Sequence, residues 1–173
     1  MSKITTSQTI GPFSHEAWRW AAEACMPGNL KTSGPTVLIT GVILDGDGRP
    51  IDDAQIEAWT PDGEGAEAEQ LIPGFRRIPS GADGEFSLRI AAPQAGARGE
   101  PLAYVTVFAR GLVKHQFTAV FLEDDAGLAQ SAILAQVPEA RRATLLARKA
   151  DDGHYRWDIR MQGEQETVFF DYA

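Results

Sequence analysis

From Thr36 onward, apolar and polar residues alternate with a period of two, and turn residues interrupt the alternation at short intervals. The run TVLITGVIL is followed by DGDGRP, and the run IDDAQIEAW is followed by TPDGEG. Successive side chains of a β-strand point to opposite faces, so this alternation predicts strands that bury one face. Glycine and aspartate adopt the backbone angles that tight turns require. The sequence therefore predicts a strand, a turn and a second strand at the start of a β-rich fold.

Further short β-rich runs follow along the chain: GEFSLRI, LAYVTVFA, KHQFTAVFLE, ATLLARKA, HYRWDIRMQ and ETVFFDY. Many short strands separated by frequent turns are typical of a β-sandwich. We therefore predict an all-β chain, folded as a single β-sandwich domain over residues 36–173. In the same prediction, residues 1–35 form an N-terminal arm with a short helix.

Two segments favour helix over strand. HEAWRWAAEACM, residues 15–26, has Ser14 as a possible cap and is ended by a Pro-Gly pair. EDDAGLAQSAILAQV, residues 123–137, begins with carboxylates, which stabilise the positive N-terminus of a helix, and is stopped by Pro138. We expect one or two short helices in the connections between strands.

The charge and cysteine content exclude several classes of partner and compartment. The chain has 173 residues, with 16 Lys and Arg against 24 Asp and Glu, and its formal net charge is −8. This charge repels nucleic-acid phosphates and anionic membrane surfaces, so neither is an expected partner. Cys25 is the one cysteine, and the N-terminal residues lack the charged start and apolar run of a signal peptide. We expect a cytoplasmic protein.

The residue types that carry chemistry form no self-contained catalytic set in the sequence. His15, His115 and His154 have no second ligand at a recognised metal spacing, and no serine lies in a G-x-S-x-G turn. Glycine patterns that bind phosphate are absent. The DGDGRP segment begins like a calcium loop, but Arg49 and Pro50 occupy the next ligand and glycine positions, which favours a plain turn.

Two segments stand out from the strand pattern. TSQTIGPF near the N-terminus is polar and punctuated by Gly and Pro, and FARGL places Arg110 at the end of an apolar β run. A guanidinium at a strand end is commonly solvated or part of a surface ion pair. It can also bind a carboxylate bidentately, while a Gly-Pro arm closes over a neighbouring pocket. The residues alone leave both interpretations open.

A set of segments along the chain carries a resemblance to a known family. These are TSQTIGPF, LDGDGRPIDDAQIEAW, ADGEFSL, VTVFARGL and YRWDIRMQGEQETVFFDY, and they extend from about Thr6 to Tyr172. Together they resemble the intradiol ring-cleaving dioxygenases, and within that family the non-iron alpha chains. The resemblance implies a β-sandwich. It also implies that the iron-bearing chains of the family hold Fe(III) through two tyrosines and an H-x-H histidine pair.

The positions that the resemblance indicates for this ligand set carry other residues here. No tyrosine lies between Trp59 and Tyr104, and Leu102 and Tyr104 stand at the two histidine positions. A single phenolate does not bind Fe(III) tightly, because several ligands must replace the hydration shell together. The resemblance therefore implies that this chain holds no metal. Fe(III) would belong to an iron-bearing beta subunit, with which the chain forms a hetero-oligomer.

The same resemblance implies which residues bind substrate. Thr9, Gly11 and Pro12 in the arm and Arg110 in FARGL would contribute to the rim of the partner's active site. The implied substrates are the carboxylated catechol protocatechuate and O2, and the ring would open between its two hydroxyl-bearing carbons to give 3-carboxy-cis,cis-muconate. Phe13 stands where the family commonly has tyrosine, which removes a hydroxyl and keeps the ring.

A second interpretation comes from the turn-and-strand pattern G-V-x-x-D-G-x-G-x-P-I. Transthyretin-like and carboxypeptidase-accessory β-sandwich modules share this pattern. On this hypothesis the chain is a non-enzymatic interaction module. The pattern accounts for the first half of the chain but not for VFARGL or QGEQETVFFD.

Overall fold

The computed structural model describes residues 9, 11, 19–26, 29–61, 67–93 and 99–171, and strands dominate this part of the chain. The strands are β1 (Thr36–Leu44), β2 (Gln55–Trp59), β3 (Phe75–Pro79), β4 (Glu85–Ala91), β5 (Ala103–Phe108), β6 (Gln116–Leu122), β7 (Leu146–Asp151), β8 (His154–Arg156) and β9 (Ile159–Arg160). The α-helices are α1 (Arg19–Ala24), α2 (Ala132–Ala135) and α3 (Glu139–Arg142). None of these helices has the length and apolar character that a membrane crossing requires. The all-β prediction is confirmed.

The strands form one hydrogen-bonded path, and its two halves pack as two sheets around the main apolar core. Eight strands follow a hydrogen-bonded path in the order β3-β2-β5-β6-β7-β8-β1-β4, and β9 pairs with β1. At the β6–β7 junction, two residue pairs, Phe121 with Leu146 and Leu122 with Ala147, connect β3-β2-β5-β6 to β7-β8-β1-β4. Buried side chains of both groups of strands share one cluster, which includes Ile39, Ile56, Leu88, Val105, Val107 and Trp157. This is the architecture of a β-sandwich.

β1 shows why the alternating pattern forms a strand. Val37, Ile39 and Ile43 point inward and are buried, and the residues between them are only partly buried. Gly41 takes an inward position where the chain at Trp157 passes closely, so a Cβ there would lie 1.8 Å from the Trp157 carbonyl oxygen. A glycine is therefore required at this point of the strand.

A buried ion pair connects the two end strands of the path, β3 and β4. Arg76 on β3 donates from Nε to the Arg89 carbonyl on β4 (2.8 Å), and Glu67 accepts from the Ala91 amide (2.9 Å). The guanidinium of Arg76 also donates to both carboxylate oxygens of Glu67, at 3.0 and 2.5 Å. Exposure of the two side chains is 0% and 1%. Side chains therefore connect strands that lie at opposite ends of the backbone ladder.

Residues 123–137 do not form the continuous helix that their sequence predicts. They contain a 3-10 turn at Leu128–Gln130 and the one-turn helix α2. Asp125 accepts hydrogen bonds from two main-chain amides of the loops (2.6 and 2.7 Å) and so fixes a turn instead of starting a helix. Ser131 is extended, and its side chain caps α2 at the amide of Leu134. The single-helix prediction was wrong because side-chain hydrogen bonds favour turns here.

Some predicted strands are shorter than their sequence runs. Residues 51–54 form a turn, so β2 begins at Gln55, and residues 143–145 form a 3-10 turn before β7. In the described part of ETVFFDY, Phe170 forms an isolated bridge with Phe117 and no named strand. The predicted strand at this C-terminal segment was therefore wrong.

The helix α1 lies inside the predicted helix at residues 15–26. Ser14 and the Pro-Gly pair at 27–28 lie outside the described residues. Cys25, directly after α1, is buried against β3, with its Sγ 3.3 Å from the main-chain nitrogen of Arg77. Burial raises the pKa of the Cys25 thiol, which keeps it protonated at neutral pH. The cysteine therefore attaches α1 to the sandwich by packing.

Candidate functional site

Arg110 lies in the turn between β5 and β6, and the register of the sheet determines what it meets. β2 and β5 are antiparallel, with Gln55 opposite Phe108 at one end of the ladder. Two residues further along this register, Asp53 comes opposite Arg110. Nε of Arg110 lies 3.1 Å from Oδ2 of Asp53. The predicted substrate-binding arginine thus forms an ion pair at the rim of the sheet.

The two members of this ion pair differ in exposure and in anchoring. The Arg110 side chain is 65% exposed and the Asp53 side chain 13%. Oδ2 of Asp53 is buried and has no aligned hydrogen bond within the described part of the chain. The neighbouring Ala54 is fixed to Ser80, because its amide donates to the Ser80 hydroxyl (3.0 Å) and its carbonyl accepts from the Ser80 amide (2.9 Å). Asp53 is therefore held by the sheet, and Arg110 extends from it into solvent.

The predicted arm residues are described in part. Thr9 and Gly11 are exposed, and among the described residues no atom lies within 4 Å of the position that a Cβ on Gly11 would take. Pro12 and Phe13 lie outside the described residues. Among the described residues, Arg110 forms its ion pair with Asp53. The substrate-binding role of Thr9, Gly11, Pro12 and Arg110 therefore stays a prediction.

The positions matched to the H-x-H pair do not form a metal site in this chain. Leu102 packs in the core with 5% exposure and has no metal-binding atom, whereas Tyr104 is 37% exposed. In register, Tyr104 lies between Trp59 on β2 and Ala119 on β6. Within the described ranges, no group of three or more His, Cys, Asp and Glu side chains could hold a metal. The donors around Tyr104 therefore do not fit Fe(III), which needs several anionic or imidazole ligands at once.

The described histidines make ordinary packing and hydrogen-bond contacts. The His115 ring lies between the rings of Phe108 and Phe117, at centroid distances of 5.4 and 4.6 Å. Nε2 of His154 lies 2.9 Å from the hydroxyl of Thr40. His15 lies outside the described residues. Aromatic packing and a hydroxyl partner explain the positions of His115 and His154 without a ligand.

Sequence reasoning missed Asp53, the residue that holds Arg110. The IDDAQIEAW run predicts a strand, and its spacing does not show which carboxylate meets an arginine on another strand. The signal that could have identified Asp53 is the pair of opposite charges, because Asp53 precedes a strand and Arg110 follows one. Antiparallel pairing of these two strands brings such positions together.

Comparison with curated proteins identifies relatives that match almost the whole chain. The protocatechuate 3,4-dioxygenase alpha chain of Burkholderia cepacia is 34% identical over 192 residues, which span 98% of this chain and 98% of the relative. The alpha chain of Pseudomonas putida is 33% identical over 199 residues, with coverage of 97% and 96%. The protocatechuate 3,4-dioxygenase beta chain of Burkholderia cepacia is 24% identical over 185 residues, with coverage of 93% and 77%. No protein-family model matches the chain.

Solved structures share the fold. The dioxygenase domain of a dioxygenase carbohydrate-binding protein fusion from Streptomyces sp. SirexAA-E has a TM-score of 0.57 and 20% identity, covering 79% of this chain and 83% of that one. Hydroxyquinol 1,2-dioxygenase from Pseudomonas putida DLL-E4 has a TM-score of 0.55 and 19% identity, covering 76% and 57%. These matches support the sandwich, and the alpha chains, above 30% identity over nearly their full length, decide the family. The chain therefore belongs to the protocatechuate 3,4-dioxygenase alpha chains of the intradiol dioxygenase family.

Proposed function

We propose that this chain is the non-iron alpha subunit of a protocatechuate 3,4-dioxygenase, assembled with a beta subunit that holds Fe(III). The alpha-chain relatives support the alpha assignment, and the similar beta chain of Burkholderia cepacia indicates the kind of partner. Leu102, at one of the two positions matched to the histidine pair, has no metal-binding atom, which supports an iron site on that partner. In this proposal residues 1–35 form the arm and short helix, and residues 36–173 form the single sandwich domain.

The proposed reaction joins protocatechuate and O2. The bond between the two hydroxyl-bearing ring carbons breaks, and both atoms of O2 enter the product, 3-carboxy-cis,cis-muconate. The partner's Fe(III), when bound, activates the catechol toward O2. This chain contributes binding and orientation of the substrate at the rim of that site.

The exposed, anchored guanidinium of Arg110 is the observation that carries the proposal. Asp53 contacts it through Nε, and the side chain remains 65% exposed. A guanidinium has five N–H donors in a planar fork, so its two terminal nitrogens can still bind a carboxylate bidentately. The chain has a net charge of −8, and a local positive group offsets that charge where an anionic substrate binds. Arg110 would therefore bind the carboxylate of protocatechuate.

The arm supplies the remaining proposed contacts. Thr9 has a hydroxyl that can donate or accept a hydrogen bond, and Gly11 leaves its main chain open to close approach. Pro12 restricts the backbone that follows. Phe13, in place of the family's common tyrosine, would offer the substrate an apolar ring without a hydroxyl.

The interaction-module hypothesis is not favoured. Its pattern covers the first half of the chain, whereas the similarity to the alpha chain of Burkholderia cepacia spans 98% of it. VFARGL and QGEQETVFFD, which the module hypothesis leaves unexplained, lie within this length.

The proposed function is tested by separating the chain from its beta partner. We would purify this chain alone and together with its cognate beta chain, and record visible absorption and O2 uptake with protocatechuate. The pair should show the burgundy tyrosinate-to-iron absorption and consume O2 when protocatechuate is added. The single chain should show neither.

Two outcomes would contradict this proposal in different ways. Tyrosinate-to-iron absorption in the single chain would place the metal on this chain and contradict the assignment of Fe(III) to the beta subunit. A pair with neither the absorption nor protocatechuate-dependent O2 uptake would favour the interaction module.

A further inference from the structure

Asp53 occupies a position that the sheet fixes with little freedom. It precedes β2, its neighbour Ala54 is tied to Ser80 by main-chain and hydroxyl hydrogen bonds, and its own side chain is 13% exposed. Continuation of the β2–β5 register by two residues places it opposite Arg110. The meeting of the two side chains is therefore a consequence of strand pairing.

The carboxylate of Asp53 is costly to bury unless a positive charge compensates it. Oδ2 is buried without an aligned hydrogen bond in the described part of the chain, and a buried charged oxygen normally receives several. Nε of the positively charged Arg110 guanidinium lies 3.1 Å from Oδ2. The contact confines a guanidinium that remains 65% exposed.

We infer that Asp53 is a positioning residue for Arg110, and that it directs the two terminal nitrogens of the guanidinium toward the carboxylate of the aromatic substrate. This inference rests on the proposed role of Arg110 in substrate binding. An unrestrained arginine loses side-chain entropy when it binds a carboxylate, and a side chain already held in place loses less. Asp53 therefore improves binding without touching the substrate.

The negative charge of Asp53 also repels a substrate carboxylate, and this effect opposes positioning. Arg110 would lie between the two carboxylates, and its 65% exposure lets water and salt screen the repulsion. The ordering of the arginine therefore outweighs the repulsion. On this balance, removal of the Asp53 charge weakens substrate binding.

The test uses the assembled alpha/beta complex with Asp53→Asn, Arg110→Ala and the double variant. Asparagine keeps the size of the side chain and removes its charge, and Asp53→Ala provides a second replacement if asparagine perturbs folding. Arg110→Ala should raise KM for protocatechuate roughly 10- to 100-fold, the range of a charge-assisted hydrogen-bond pair. Asp53→Asn should raise it roughly 3- to 10-fold, the range of one immobilised side chain. In the Arg110→Ala background, Asp53→Asn should add no further change.

A neutral ligand separates positioning from a general structural role. 3,4-Dihydroxybenzamide, the amide of the substrate, lacks the carboxylate, so its competitive inhibition constant should be the same for Asp53→Asn and the unchanged complex. A structural defect would weaken the acid and the amide alike. Asp83→Asn, at an exposed turn position, is the matched control and should leave KM unchanged.

The outcomes distinguish the inference from the proposed function. An Arg110→Ala complex with unchanged KM overturns the substrate role of Arg110 and, with it, the inference. A raised KM for Arg110→Ala together with an unchanged or lowered KM for Asp53→Asn overturns the positioning role alone. Equal weakening of acid and amide binding by Asp53→Asn also overturns it.

Discussion

Arg110 and Arg76 each pair with a carboxylate, but their side chains differ in solvent exposure. The Arg110 side chain is 65% exposed, so its terminal nitrogens are accessible to a ligand. Arg76 is fully buried and its donors are directed at Glu67 and main-chain carbonyls. The same residue type thus stabilises the fold in the interior, and at the rim it serves recognition in the proposed function.

At the scale of single residues, Glu67→Gln should lower the free energy of unfolding by about 3–5 kcal/mol. Glutamine keeps the shape of the side chain but would leave Arg76 charged and uncompensated in the interior. Denaturant unfolding followed by circular dichroism measures the loss. Glu57→Gln, which breaks the partly buried pair with Arg77, is the matched control and should cost about 1 kcal/mol. Equal losses in the two variants would show that burial does not set the strength of these pairs.

Some of the residues that form these ion pairs could be identified from the sequence, and others could not. Arg110 could be identified because a charge ends an apolar run in FARGL. Asp53 and Glu67 could not, since their partners lie on other strands and the contacts depend on register and loop path. Fixed spacing identifies local motifs, whereas these pairs form only after the sheets are assembled.

At the scale of elements, strands with alternating or continuous apolar residues were predictable, and a strand with a buried charged residue was not. The run TVLITGVIL is β1 from its first to its last residue, because alternation there coincides with burial. β3, with the sequence FRRIP, escaped prediction because Arg76 points inward where an apolar residue is expected. The helix predicted at 123–137 failed because turn-forming contacts of Asp125 are not visible in periodicity.

Gly41→Ala tests the close crossing of β1 and the chain at Trp157. The new Cβ would lie 1.8 Å from the Trp157 carbonyl oxygen. The main chain at Trp157 is held in place because the Trp157 amide donates to the Thr40 carbonyl oxygen (2.9 Å). We expect a loss of roughly 3 kcal/mol, measured as a lower midpoint in thermal or denaturant unfolding. Gly46→Ala is the control, since its Cβ would meet only the flexible Gln162 side chain. A similar loss at Gly46 would show that the backbone contact is not the cause.

At the scale of the whole molecule, the two sheets meet at a junction of few backbone pairs, which side chains reinforce. Tyr155 on β8 donates its hydroxyl to Oδ1 of Asp124, two residues after β6 (2.9 Å). Nζ of Lys149 on β7 donates to Oδ2 of the same carboxylate (3.2 Å). Asp124 therefore links strands of both sheets, and stability of the junction depends on the protonation of its partners.

The junction gives the stability of the chain a pH dependence at alkaline pH. Burial, followed by the hydrogen bond to Asp124, raises the pKa of Tyr155 to about 12. An unfolded tyrosine ionises near pH 10, so the contribution is full below about pH 10 and is lost as pH rises toward about 12. Tyr155→Phe should flatten this part of the profile of unfolding free energy against pH. Tyr104→Phe, which leaves Tyr155 intact, should retain the fall, and an equally steep fall in Tyr155→Phe would exclude Tyr155 as its source.

The buried pair of Arg76 and Glu67 has a consequence for self-association. β3 and β4 are the ends of the strand path, and end strands with open backbone groups recruit strands from other molecules into aggregates. Here the Arg89 carbonyl is occupied by Arg76 and the Ala91 amide by Glu67. These groups cannot template an incoming strand, so the ion pair also protects this edge from polymerisation.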